Sequence, residues 1–307
     1  MVLKCIIPFI GSKRKELNII QKYEPNKIDK IVDVYGGAAN VSMFYNDRGF
    51  KVHFNDILED LFKLIKTISN KEKTEKLLIE YNKIENENDD ETFYKIFDKK
   101  YNISSECRLL YLVSTCFRGQ LTRRTPHHRP NYRQNTNKIK IANRDYLKDY
   151  HEHMNLIKFT NKDYKLILDR YRNIKDVFLY LDPPYVSKTT KQYGITFTIE
   201  DLEYIKDFMK ICDCNVMLHI DFTGYTYYNF KNMIKFVYPF KYNSSTKKKG
   251  TKDVYEKYHM IITNYDNFHK FKKQTTIPLF LKSTENLPKK KIRKAIKQKT
   301  KLNFKNY

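Results

Sequence analysis

The run Val177-Phe-Leu-Tyr-Leu, closed by Asp182-Pro183-Pro184-Tyr185, constrains the fold of this chain more than any other stretch. Five consecutive large apolar or aromatic residues bounded by a turn signal predict a buried strand. The two prolines stiffen the exit from that strand and fix the direction of its carbonyls. In α/β sheets the carboxyl ends of the strands are where ligands bind. A carboxylate (Asp182) and a fixed carbonyl at such an end can accept both hydrogens of an exocyclic amino group, and Tyr185 can stack on the base that carries it. The plainer alternative is a Pro-rich turn with a surface Asp, and the strand-end context argues against it.

The surrounding pattern supports a sheet with helices. Ile31-Val-Asp-Val-Tyr predicts a short strand ended by Gly36-Gly37, with a helix from Asn40 to Asn46, and Lys51-Val-His-Phe-Asn predicts a second strand. Residues 57–69 carry Leu58, Leu61, Phe62 and Ile65 at helical spacing. Residues 71–100 continue as charged helix broken by the acidic stretch 85–91, and residues 106–117 form another helix. Residues 148–159 and 162–172 are expected to be helical. A helix over 198–211 begins at a Thr N-cap with acids in its first turn. Asn215-Val-Met-Leu-His-Ile, Lys235-Phe-Val-Tyr and His259-Met-Ile-Ile-Thr-Asn predict further strands, with a short helix over 225–233. Alternating strands and helices predict an α/β fold.

Two more segments fit a ligand site. Asp33-Val-Tyr35-Gly36-Gly37-Ala38-Ala39 joins strand to helix through small residues, which let a ligand approach backbone N–H groups. Asp56 follows Gly36 by 20 residues at the end of the next predicted strand, where a carboxylate can accept ribose hydroxyls. Near the start, Pro8-Phe9-Ile10-Gly11-Ser12-Lys13 offers a ring to pack on a ligand and a cation to pair with a carboxylate. No metal is expected, because His127-His128 and His151-x-His153 lack a ligand set.

Charge points to a polyanion. The 307 residues carry 59 Lys and Arg against 35 Asp and Glu, a net charge of +24. Residues 118–144 hold eight basic and no acidic residues, residues 241–257 hold six Lys and two acids, and residues 282–307 hold ten basic residues and one acid. Interleaved Tyr, His and Asn make these segments resemble a phosphate-tracking surface. The apolar content of 41% is too high for a disordered chain. No apolar run approaches the roughly 20 residues of a membrane helix. Five Cys without scaffold spacing are expected as reduced thiols of an intracellular protein.

The order of these motifs resembles the Dam-like DNA adenine-N6 methyltransferases. Phe9-Ile10-Gly11-Ser12-Lys13 is similar to that family's aromatic-x-Gly-Gly-Lys opening, and Asp33 to Ala39 to its cofactor motif, with Tyr35 for Phe and Ala39 for the last Gly. Asn55-Asp56-Ile57, Asp182-Pro183-Pro184-Tyr185 and the closing Asn264-Tyr265 also match. Phe117-Arg118-Gly119-Gln120-Leu121-Thr122-Arg123 resembles its recognition hairpin with one residue more. Coverage is roughly residues 5–265.

The resemblance implies a Rossmann-like methyltransferase sheet with helices on both faces and a mostly helical target-recognition insertion. The catalytic domain would comprise residues 1–60 and 148–270, the insertion 61–147 and a basic tail 271–307. S-adenosylmethionine would be the methyl donor, held by Phe9, Lys13, Asp33, Tyr35, Gly37, Asp56 and Asp182. Lys13 and Phe9 would meet its methionine end. Asp182, Pro183, Pro184 and Tyr185 would form the catalytic corner for an adenine flipped from double-stranded DNA. Arg118, Gln120, Arg123, Arg124, Arg129, Arg133, Lys247, Lys248 and Lys249 would contact DNA. The same chemistry on RNA, and an inactive nucleic-acid-binding protein of this fold, are the competing readings. Placement is expected to be cytoplasmic, with residues 288–294 as a nuclear address in a eukaryotic host.

Overall fold

The computed structural model describes residues 7, 11–85, 89–116, 147–185, 197–240 and 257–266. Their seven strands are β1 (Lys30–Asp33), β2 (Lys51–Asn55), β3 (Ile157–Thr160), β4 (Val177–Leu181), β5 (Asn215–Asp221), β6 (Ile234–Phe240) and β7 (Lys257–Thr263). They form one sheet in the order β3-β2-β1-β4-β5-β7-β6. The first five strands pair in parallel. β7 runs antiparallel between β5 and β6.

Side chains alternate across the sheet, so residues two apart share a face. Val32, Leu179, Val216, Leu218, Met260 and Ile262 pack on one face against α7 (Tyr164–Tyr171) and α8 (Ile199–Ile211). Ile31, Val52, Phe178, Tyr180, Met217 and Ile261 pack on the other against α1 (Leu17–Lys22) and α2 (Asn40–Asp47). β4 is buried along its whole length, as its unbroken apolar run requires.

The described residues between β2 and β3 include the helices α3 (Glu59–Ile68), α4 (Lys71–Glu85), α5 (Asp90–Phe97) and α6 (Ser105–Thr115). Leu61, Leu64, Ile65 and Ile68 of α3 join Leu109, Leu110 and Val113 of α6 in a third core cluster. A last helix, α9 (Gly224–Phe230), follows β5.

The helix expected over 148–159 is not formed. Residues Tyr150–Met154 make a 3-10 turn, and Ile157–Thr160 become strand β3 on the open edge of β2. Ile157, Phe159 and Thr160 carry β-branched or aromatic side chains that fit that edge, and pairing overrode the apparent helical spacing. Strand β1 also ends at Asp33, earlier than expected, although the Val34 N–H still donates to the Tyr180 carbonyl of β4 at 3.0 Å before the glycine turn. No described helix is long and apolar enough to cross a membrane.

Candidate active site

The strand order reverses between β1 and β4, which lie side by side although β2 and β3 separate them in sequence. A reversal of this kind opens a crevice at the carboxyl ends of the two strands. Asp33 ends β1, Asp56 follows β2, and Asp182 follows β4.

Lys13 reaches into this crevice from the chain start. Its Nζ donates to Asp182 Oδ2 at 2.5 Å, to the Gly11 carbonyl at 3.3 Å and to the Tyr185 hydroxyl at 3.4 Å. Those acceptors use the three N–H groups of the ammonium. Lys13 thus joins the Asp-Pro-Pro-Tyr corner to the segment at the chain start. The Lys13 side chain is 6% exposed and that of Asp182 15% exposed, so the carboxylate reaches the crevice while its partner lies below. Asp182 Oδ1 makes no hydrogen bond among the described residues. Pro183 is buried, and Pro184 and Tyr185 are partly exposed.

The turn after β1 is held by two carboxylates. Asp33 Oδ2 accepts the Ser42 N–H at 3.2 Å and the Ser42 hydroxyl at 2.8 Å. Ser42 lies in the first turn of α2, whose own cap residue, Ala39, offers no side-chain acceptor and sits at φ 57°. Asp33 thus performs from the strand the task of an N-cap. Asp56 Oδ2 accepts the Gly37 N–H at 2.8 Å, and Oδ1 accepts the Leu58 N–H at 2.9 Å. Burial pushes the Asp33 carboxyl up to about 7, against the pull of the Ser42 bonds. It pushes Asp56 up to about 6, against its backbone bonds. Gly36 is demanded by space: a Cβ there would lie 2.2 Å from the Phe54 ring. Asn55 bonds the Val34 and Lys162 carbonyls and accepts from Thr160 and Lys162, so it pins β2 to both flanking turns.

Tyr35 packs against Tyr164 at 5.5 Å and edge-on to Phe197 at 6.2 Å. Its buried hydroxyl has no hydrogen-bond partner among the described residues. An orphaned hydroxyl beside a glycine turn and a ring-lined wall fits a polar ligand group that would complete it.

A second polar cluster escaped the sequence reading. Glu16, His219 and His259 are all buried, and their ligand-type atoms lie within 4.8 Å of one another. Glu16 Oε1 accepts from His259 Nδ1 at 2.7 Å and from the Tyr238 hydroxyl. His219 bonds Tyr238 through Nε2 at 2.6 Å and Tyr180 through Nδ1 at 2.9 Å. Both nitrogens of His219 are thus engaged by tyrosines, and the trio is joined by hydrogen bonds. Burial opposes ionisation of Glu16. The bonds from the two histidines, with the charge of Lys13 nearby, overcome it and hold the carboxyl well below the usual range. Burial pushes His219 below its ordinary value, against the pull of Glu16. The signal for this cluster was a parity pattern, since Tyr180, His219, Tyr238 and His259 sit on strands at positions sharing one face.

Phe9 and the expected DNA contacts Arg118, Gln120, Arg123, Arg124, Arg129, Arg133, Lys247, Lys248 and Lys249 lie outside the described residues. So do His127 and His128. His151 and His153 are described and stand apart: His151 Nδ1 bonds the Lys148 carbonyl, and His153 Nδ1 pairs with Asp47.

A sheet of this order, with an Asp-Pro-Pro-Tyr corner at its reversal point, defines an α/β protein of the Rossmann-like methyltransferase class. The family model for D12 class N6 adenine-specific DNA methyltransferases matches residues 9–232. The chain belongs to that family, and its activity is that of a DNA adenine-N6 methyltransferase. A comparison with curated proteins gave no match.

Proposed function

We propose that the chain transfers the methyl of S-adenosylmethionine to the amino group of an adenine flipped out of duplex DNA, with Asp182, Pro183, Pro184 and Tyr185 as its catalytic corner. The carrying observation is the convergence of Lys13, Asp182 and Tyr185 at the reversal point of the sheet. Adenine N6 is a poor nucleophile because its lone pair is delocalised into the ring. Asp182 Oδ1 and the Pro183 carbonyl accept its two hydrogens, which localises that pair on nitrogen. Lys13 fixes the carboxylate through Oδ2 and leaves Oδ1 to the substrate. Tyr185 stacks on the base and offsets roughly 1–3 kcal/mol of the unstacking cost. Positioning and fixed dipoles are the main contributions of the protein.

S-adenosylmethionine supplies a sulfonium-bound methyl. The residues after β1 and β2 fit it. Gly37, with no Cβ at φ 52°, leaves room beside the turn, and Asp56 retains lone pairs for ribose hydroxyls. Tyr35 offers its orphaned hydroxyl. Asp33 acts through the turn it braces. Residues 61–147 and the Lys run 247–249 are assigned to target DNA, residues 271–307 to a phosphate-binding tail, and the protein to an intracellular place where DNA is found.

The test uses labelled S-adenosylmethionine with adenine-containing duplex DNA and, in parallel, RNA. Label is expected in DNA and absent from D182A reactions, with DNA binding by the variant retained. Transfer by D182A at near-normal turnover would sink the assignment, and preference for RNA would overturn the substrate.

A further inference from the structure

A hydrogen-bonded path runs beneath the catalytic corner to a residue that the family match, ending at 232, does not reach. His259 lies on β7 and is 2% exposed. Its Nδ1 faces Glu16 Oε1 at 2.7 Å, and its Nε2 faces the Tyr185 hydroxyl at 3.5 Å. The Glu16 carboxylate is an acceptor only, so Nδ1 carries the imidazole proton. With that single proton on the ring, Nε2 is an acceptor for the Tyr185 hydroxyl, whose oxygen in turn accepts from Lys13. In this tautomer donation runs from Lys13 through Tyr185 and His259 to Glu16. The His259 ring is itself clamped, stacked on Phe240 at 4.5 Å and 12°, and it meets the Tyr185 ring edge-on at 5.5 Å and 74°.

We propose that His259, backed by Glu16, is a positioning residue that fixes the ring and hydroxyl of Tyr185 for the target base. The proposal rests on the assignment of Asp182 and Tyr185 as the residues facing substrate. The two prolines fix the backbone leading to Tyr185, but not the rotation of its side chain. That rotation is set by what the hydroxyl and the ring edge touch, and His259 supplies a contact to each. The 3.5 Å separation is long for a hydrogen bond. Such bonds in free enzymes commonly tighten when substrate is seated.

The decisive variant is His259→Asn. An Asn amide nitrogen stands near the place of Nδ1, so it still donates to buried Glu16 but cannot reach Tyr185. H259N is expected to fold with a thermal midpoint close to that of the parent and to bind S-adenosylmethionine equally well. Its kcat is expected to fall about fivefold, the loss of one hydrogen bond. H259Q, whose longer amide reaches Tyr185, is expected to recover much of that kcat. In a double-mutant cycle, H259N is expected to cost nothing further once Y185F has removed the hydroxyl. Full kcat in H259N, equal losses in H259N and H259Q, multiplicative losses with Y185F, or failure of H259N to fold would each overturn the proposal. D182A measured alongside separates the two readings: if it stays active, the catalytic corner is misassigned; if it is dead while H259N is normal, only the role of His259 falls.

Discussion

At the scale of residues, the acids of the site are distinguished by what already holds them. Asp182 has one oxygen without a hydrogen bond among the described residues, Asp56 has both oxygens on backbone N–H groups with lone pairs to spare, and Asp33 is turned inward to cap α2. The sequence places all three at strand ends, and the bonds from Asp33 to Ser42 add a capping role that leaves no mark in local spacing. Lys13 was expected to meet a carboxylate, and it does so at Asp182, 169 positions away. Such a partner is visible only once β4 stands beside the chain start. Burial also sets a pH dependence. Asp33 and Asp56 hold protons in the folded state up to about 7 and about 6, whereas the unfolded carboxyls release theirs near 3.8. The folded state binds more protons across that window, so their contribution to stability falls as pH rises from about 4 to about 7. Urea unfolding is expected to show D33N flattening that slope and gaining about 1–4 kcal/mol over the parent at neutral pH. A second expectation concerns Gly36. With the Phe54 ring fully buried, G36A has no room for its methyl, and unfolding is expected to be about 1–3 kcal/mol easier, the usual cost of overpacking.

At the scale of elements, legibility followed burial pattern. β2, β4, β5 and α8 were readable because apolar runs or caps bound them. Thr198 accepts the Asp201 N–H at 3.3 Å, and the Asp201 carboxylate accepts the Thr198 N–H at 2.9 Å, a reciprocal capping box. T198A is expected to lower stability by about 1 kcal/mol without changing methyl transfer, measurable by thermal unfolding and the labelled assay. β3 was not readable, because an edge strand of four residues is decided by the neighbour that needs pairing rather than by its own sequence. The turn and short helix over 14–22 were missed for a similar reason: Leu17 and Ile20 show their value only against Tyr238 and Ile261 on the sheet.

At the scale of the whole molecule, the charge of +24 and the sheet serve separate ends. On the proposed reading, catalysis belongs to the reversal point and affinity to the basic segments. Removing residues 271–307 is expected to leave turnover at saturating DNA intact while weakening DNA binding. The plot of log affinity against log salt should become shallower, by about 0.9 for each phosphate that the tail no longer neutralises. An unchanged slope would remove the tail from the DNA surface. The position of β7 has a consequence in time. The strand is the last described element of the chain, yet it is wedged between β5 and β6, and its His259 meets a glutamate 243 positions upstream. On a ribosome the acids of β1, β2 and β4 emerge long before this strand does. A nascent chain can therefore begin to build its core before β7 exists, and on the proposed role of His259 the corner of Asp182 and Tyr185 is braced only after that strand has been made.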